Sequence, residues 1–292
     1  GLSHQHSVLK KEDFVSIKAN WDRKSSNIIE IAKKLNLGLD SFVFIDDNPA
    51  EREEVRQALP EVSVPEIGKD INDYIKIINQ CNYFDRLDWS EEDKNRTSLY
   101  NENSERTDQI SRFADYQEYL ESLEMKSTVK EFDIENINRI HSLINKTNQF
   151  NLTTKRYTDS EVNIVKDSKD KIGMYGKLND KFGDNGLIAV IAGSIDYKNS
   201  TFIIDMWCMS CRVFKREMEF FFFNKFVDKI KSLNLKTIVG IYIPSKKNKI
   251  VKSIYNEIGF IQQETSSEEQ IFILDIKNYN FINTKIGEDN DS

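Results

Sequence analysis

Apolar positions at Ile28, Ile29, Ile31, Ala32 and Leu35 recur with the spacing of one helix face, predicting a helix opened by Ser25 or Ser26 and closed at Gly38. The pattern then becomes an unbroken apolar run, Phe42-Val43-Phe44-Ile45, as in a buried parallel strand, and it stops abruptly at Asp46 and Asp47. A helix is predicted over residues 49–59, a short strand over 62–64 and another helix over 71–78. This alternation predicts the second half of a doubly wound α/β sheet across residues 1–84.

Residues 85–124 are charged and lack Gly and Pro, while aromatic and leucine positions still recur, so they predict one or two exposed helices linking domains. From 125 to 292 the order is different. A strand over 128–132 precedes helices over 134–144 and 160–165, then three strands over 173–178, 187–195 and 201–209. A helix over 216–233, a strand over 237–243, a helix through 249–258 and a strand over 270–275 complete an α+β domain.

With 39% hydrophobic and 30% charged residues in 292, the chain has the balance of a soluble globular protein with one or two cores. Its net charge of −7 gives no general attraction to nucleic acid or to an anionic membrane. No apolar run reaches the ~20 residues of a membrane span and no secretory signature opens the chain, so the cytoplasm is the expected compartment. Cys81, Cys208 and Cys211 are expected as reduced thiols. A start at Gly1 suggests a missing upstream part, and His4 and His6 read as a vector-derived terminus.

Two adjacent carboxylates at the carboxyl edge of a parallel strand repel each other unless a cation neutralises them. Hard oxygen donors of this kind suit Mg²⁺ shared with a phosphate. Asp46 and Asp47 are the candidate ligands, and Lys24, before the preceding helix, is the candidate phosphate-holding cation. Asn48, Pro49 and Glu51 fit a capping box for the next helix.

The stretch Trp21-Asp22-Arg23-Lys24-Ser25-Ser26-Asn27-Ile28, followed by Leu37-Gly38-Leu39-Asp40-Ser41-Phe42-Val43-Phe44-Ile45-Asp46-Asp47-Asn48-Pro49, resembles the carboxyl half of FkbH-like proteins of the haloacid-dehalogenase superfamily. The resemblance continues through residues 144–154, 182–188 and 209–213, covering nearly the whole chain. It implies a partial dehalogenase-like Rossmannoid domain (α/β) followed by a GNAT-like acyltransferase domain (α+β). It also implies loading of a glyceryl unit from a phosphorylated glycerate onto an acyl carrier protein, with Mg²⁺ at Asp46 and Asp47 and Lys24 on the phosphate. The family's nucleophilic aspartate, in a DxDxT-like strand, would lie upstream of these residues.

In the GNAT-like part, the turn Arg212-Val213-Phe214-Lys215-Arg216-Glu217-Met218 stands where a glycine-rich turn would cradle a pyrophosphate. Arg212 and Arg216 supply cations, but Lys215 and Glu217 occupy positions that close backbone approach would give to glycine. The segment from Asn248 to Phe260 resembles the fold's last-helix motif, with Asn248 a candidate acyl- or pantetheine-binding residue and Tyr255 either a general acid or a packing residue. Cys211, beside basic residues, is a candidate reactive thiol or a plain core thiol, and on a strand it would face away from Cys208. Asn148, Gln149, Asn151, Thr153 and Thr154 form an uncharged hydrogen-bonding patch that suits a turn or a pantetheine arm. Lys246, Lys247, Lys249 and Lys252 would attract an acidic carrier protein. Three readings stand: an FkbH-like transferase fragment using a pantetheine-bearing carrier, an N-acetyltransferase using acyl-CoA, or a non-catalytic carrier-docking module.

Overall fold

The computed structural model describes residues 8–85, 96–110, 112–263 and 268–289, so His4, His6 and the run Glu91-Glu92-Asp93-Lys94 lie outside the described residues. The chain divides into two compact units, Gly1–Arg112 and Phe113–Ser292. The segment read as a linker is shared between them. No helix among the described residues is long and apolar enough to cross a membrane.

In the first unit, α1 (Lys24–Leu35) packs against α2 (Pro49–Ala58) and α4 (Arg96–Ile110), with α3 (Tyr74–Gln80) between the last two in sequence. A small core of Ile28, Val55, Leu59 and Val62 holds it together. Helix α1 starts one residue before the predicted caps, because the Ser25 hydroxyl turns to Glu54 on α2 instead. It ends in a left-handed Asn36 (φ 53°), two residues before Gly38. The predicted strands at 42–45 and 62–64 reduce to a single parallel bridge, Val43 to Ser63. There the Phe44 N–H donates to Ser63 O at 2.8 Å and the Ser63 N–H to Phe42 O at 3.0 Å. A regular buried strand needs partners along its length, and here Phe42, Val43 and Phe44 are half-buried while Ile45 is 40% exposed.

The second unit is a mixed α/β fold around one eight-stranded sheet. Its strands are β1 (Lys126–Glu131), β2 (Lys171–Asp180), β3 (Gly183–Asp196), β4 (Thr201–Met209), β5 (Thr237–Tyr242), β6 (Ile261–Gln262), β7 (Gln270–Asp275) and β8 (Gly287–Glu288), in the order β6-β7-β5-β4-β3-β2-β1-β8. The β4–β5 and β1–β8 pairs are parallel and the others antiparallel. Helices α6 (Ile137–Lys146) and α7 (Asp159–Asp167) cover one face through Ile140, Ile144 and Val162. On the other face lie α8 (Met218–Ser232) and the short α9 (Ile254–Ile258), with Phe222, Phe223, Phe226 and Tyr255 against Trp207. Helix α5 (Tyr116–Ser122) adds Tyr119 and Leu120 to that second core.

Strand β4 changes face part-way. Phe202 and Ile204 point into the larger core, Met206 and Cys208 into the smaller, and Trp207 and Met209 into the larger again. The shift falls at Asp205, which the β3 register skips between Ile204 and Met206, so a bulge re-aims the side chains beyond it. Gly193 sits opposite, where an added Cβ would come within 2.0 Å of Ile203 O.

Candidate functional site

Just before the bulge, β4 leaves β5. The two pair only over Thr201–Ile203 and Thr237–Val239, and past that point their edges diverge into a wedge. Residues Phe150 to Leu152 fill the wedge with backbone. Phe150 O accepts from the Met209 N–H at 3.0 Å, the Leu152 N–H donates to Trp207 O at 3.1 Å, and Leu152 O accepts from the Ile243 N–H at 2.8 Å. The polar edges exposed by that divergence are therefore hydrogen-bonded within the chain.

The predicted amide patch divides accordingly. Asn151 and Thr153 are buried: the Asn151 Nδ2 donates to Lys155 O at 3.2 Å and the Thr153 hydroxyl to Asp205 O at 2.9 Å. Gln149 is half-buried, whereas Asn148 is exposed and accepts from Arg156. Asn148, Asn151 and Thr154 nevertheless line one cavity of 320 Å³ together with Arg156, Ser245, Lys246 and Lys247. Two features far apart in sequence thus meet at one opening.

Asn248, read as part of a ligand-binding set, is fully buried and clamps this region. Its Nδ2 donates to Asn151 O at 2.9 Å and Ile243 O at 3.0 Å, and its Oδ1 accepts from the Ser245 N–H at 2.8 Å and the Tyr242 hydroxyl at 3.2 Å. With every donor and acceptor of the amide engaged, the structural role replaces the binding one. Tyr255 is corrected in the same way. It is fully buried against Trp207, Phe260 and Phe272, its hydroxyl donates to Ile241 O at 3.4 Å, and burial drives its pKa far up. Packing on the sheet, not proton donation, is what this geometry serves. Gly240 leaves room for the ring, since a Cβ there would sit 2.4 Å from it.

The turn before α8 carries two left-handed residues, Lys215 at φ 67° and Glu217 at φ 64°, the same positions where close approach would favour glycine. The turn is roofed by neighbouring chain. Tyr116 donates its hydroxyl to Lys215 O at 2.8 Å, and the Glu217 carboxylate accepts from Gln117 Nε2 at 3.2 Å and the Lys285 N–H at 2.8 Å. Arg216 does not face an anion site. It is buried in an ion pair with Asp180 at 3.2 Å, with further bonds to Asn185 Oδ1 at 3.4 Å and Arg212 O at 2.8 Å. Arg212 bonds to the Ser210 hydroxyl at 3.3 Å. Cys211 lies in the 3-10 turn after β4 and not on the strand; burial raises its thiol pKa despite the lowering effect of Arg212, so a reactive thiolate is not favoured. Cys208 is buried, with its thiol pushed up to about 12.

Sequence reasoning missed Glu219. It sits in the first turn of α8, only 5% exposed, and its Oε2 has no hydrogen-bond partner. Burial, then the nearby Glu257 and Glu217, push its carboxyl up to about 7, although its own backbone N–H opposes this. A single acid before Phe220-Phe221-Phe222-Phe223 was the available signal, and it is equally the signature of an ordinary first-turn acid.

In the first unit, Lys24 is the first residue of α1. Asp46 Oδ1 accepts from the Asn48 N–H at 2.9 Å, and Asn48 Oδ1 accepts from the Ala50 N–H at 2.9 Å. The expected capping box is therefore replaced: the N–H that Glu51 would have reached is taken by Asp46. Asp47 is exposed. Buried Arg52 supports the loop from beneath, donating to Asp46 O at 2.9 Å and Asp47 O at 3.1 Å and pairing with Glu66. Among the described residues no group of three His, Cys, Asp or Glu side chains converges as a complete metal site.

No protein-family model matches the chain, and no curated protein does. Among solved structures, the N-terminal part of the Bacteroides fragilis protein BF1531, containing a phosphatase domain complexed with Mg, is 41% identical over 30% of this chain and 23% of that chain, with a TM-score of 0.29. The likeness to that structure lies in the sequence identity. This chain spans less than a quarter of the BF1531 structure. The spermidine N-acetyltransferase of Vibrio cholerae in complex with CoA and spermine is 14% identical over 53% of this chain and 98% of its own, with a TM-score of 0.41. The ribosomal-protein-S18-alanine N-acetyltransferase of Escherichia coli is 9% identical over 53% and 99%, with a TM-score of 0.40.

Proposed function

We propose that the chain is the carboxyl-terminal part of an FkbH-like enzyme that moves a glycerate-derived unit from a phosphorylated precursor to an acyl carrier protein. The observation that carries this reading is the 320 Å³ cavity whose lining combines Asn148, Asn151 and Thr154 with Lys246 and Lys247. An uncharged hydrogen-bonding wall suits a pantetheine arm, and a cationic rim suits its single phosphodiester and an acidic carrier surface. Acetyl-CoA fits less well, since its pyrophosphate would meet Glu217 in a roofed turn.

A second reading for the GNAT-like unit is docking without catalysis. It is favoured by the filled wedge between β4 and β5 and by the burial of Tyr255. In the dehalogenase-like part, Asp46 and Asp47 offer hard oxygen donors of the kind Mg²⁺ takes alongside waters and a phosphate. These two residues would hold the ion, whose charge would neutralise a phosphoryl group, and Lys24 would orient the phosphate oxygens.

The test is binding of the full chain to a phosphopantetheinylated acyl carrier protein, at low and at raised salt. Binding is expected to weaken with salt and to fall about tenfold or more in Lys246→Glu, Lys247→Glu, as expected when two charges at a rim are reversed. Micromolar binding of acetyl-CoA, with none of the carrier at low salt, would sink the reading in favour of an N-acetyltransferase.

A further inference from the structure

A second cavity, of 420 Å³, lies beside the turn that precedes α8. Its lining combines the apolar Phe214, Phe220, Ile250, Val251 and Ile254 with three acids, Glu217, Glu219 and Glu257, against one cation, Lys215. Three acids against one cation give this lining the wrong sign for a phosphate-bearing ligand. The acids are not equivalent. Glu217 is engaged by Gln117 and the Lys285 N–H, and Glu257 accepts from the Ser253 hydroxyl at 2.5 Å. Glu219 is the buried one, and its Oε2 is left without a partner.

A carboxylate oxygen buried beside a cavity and lacking any donor is costly unless something supplies one. The helix N-terminus offsets part of that cost, but the two neighbouring acids add to it. We infer that the cavity binds a small amphipathic amine, its ammonium bonded to Glu219 and its hydrocarbon chain lying on Phe220, Ile250 and Ile254. An ammonium carries three donors and no acceptor, so it satisfies Glu219 and faces Glu217 and Glu257 without repulsion. A neutral alcohol of the same length supplies one donor and no charge, and coenzyme A brings phosphates toward three acids. This site is independent of the carrier-docking cavity, whose lining residues are all different.

The experiment is titration calorimetry on the full chain with n-pentylamine, 1-pentanol and coenzyme A as probes. Pentylammonium is expected to bind saturably, with affinity at least about tenfold above that of pentanol and about tenfold reduced in Glu219→Gln, the usual scale for loss of one buried charged hydrogen bond. Binding should strengthen as pH rises through neutrality. Glu219 then ionises, in a lining whose other titratable groups are Glu217, Glu257, Lys215 and Tyr116. Glu219→Gln is isosteric. Should it nevertheless alter the circular dichroism spectrum, the wild-type comparison decides. Equal binding of pentylamine and pentanol, no saturable amine binding, or tighter binding of coenzyme A than of the amine would each overturn the proposal.

Discussion

The side-chain amide of Asn248 donates to the backbone carbonyl of Asn151 at 2.9 Å across a sequence separation of 97 residues, and this bond ties the segment filling the β4–β5 wedge to the loop after β5. The same amide also serves Ile243 O, the Ser245 N–H and the Tyr242 hydroxyl. Asn248→Ala leaves these buried groups unpaired and should cost about 3 kcal/mol, toward the upper end for a point substitution. Hydrogen exchange at the Leu152 and Ile243 amides, both bonded within the wedge, should accelerate. Unchanged exchange there would mean that the wedge holds without its clamp.

At the turn before α8, Lys215 and Glu217 both take left-handed backbone, which costs a residue bearing a Cβ about 1 kcal/mol relative to glycine. Lys215→Gly should therefore raise the unfolding midpoint. Glu217→Gly should not, because it also removes the bonds to Gln117 and the Lys285 N–H. A denaturation series on the two single variants checks the contrast, and equal gains in both would show that the roof contributes nothing.

Much of the second unit could be read from apolar spacing. Ile137, Ile140, Leu143 and Ile144 mark the buried face of α6, and the run from Leu187 to Ala192 is buried throughout because β3 is covered on both faces. Local pattern failed where the outcome depends on distant partners. The run Phe42 to Ile45 has strand composition, yet a strand becomes regular only when neighbours complete its hydrogen bonds, and it finds one at Ser63. Asn248 and Tyr255 looked like site residues because an amide and a phenol are chemically capable. What decided their roles was burial and bonding set by residues far along the chain. The face change at Asp205 was invisible too, since a bulge alters parity without altering composition.

Glu219 makes the stability of the second unit depend on pH with a definite sign. Its carboxyl stands at about 7 when folded against a reference of 4.5, so between those values the folded state holds a proton that the unfolded state has lost. The associated stability is complete below about 4.5 and is lost as pH rises through about 7, a total of about 3 kcal/mol at 1.36 kcal/mol per unit. Glu219→Gln should thus raise the unfolding midpoint clearly at pH about 8 and hardly at pH about 5. A stabilisation equal at both values would show that the effect is not titration of this carboxyl.

Arg52 carries the acid loop of the first unit. Its guanidinium donates to both Asp46 O and Asp47 O while pairing with Glu66, and the side chain is buried. A planar fork can reach two adjacent carbonyls and a carboxylate at once, which an ammonium cannot do with the same geometry. Arg52→Ala should therefore loosen the loop, costing about 2 kcal/mol locally as the Asp46 and Asp47 carbonyls lose their buried donor, and Arg52→Lys should restore less than half of that. Because the chain has two compact units, a single global midpoint would blur the effect, so the measurement is hydrogen exchange at Asn48 and Ala50, whose N–H groups are held by Asp46 and Asn48. Both amides should exchange faster in Arg52→Ala while Leu152 and Ile243 keep their rates. If Arg52→Lys protects Asn48 and Ala50 as well as arginine does, charge alone suffices and the fork has no special role in presenting Asp46 and Asp47.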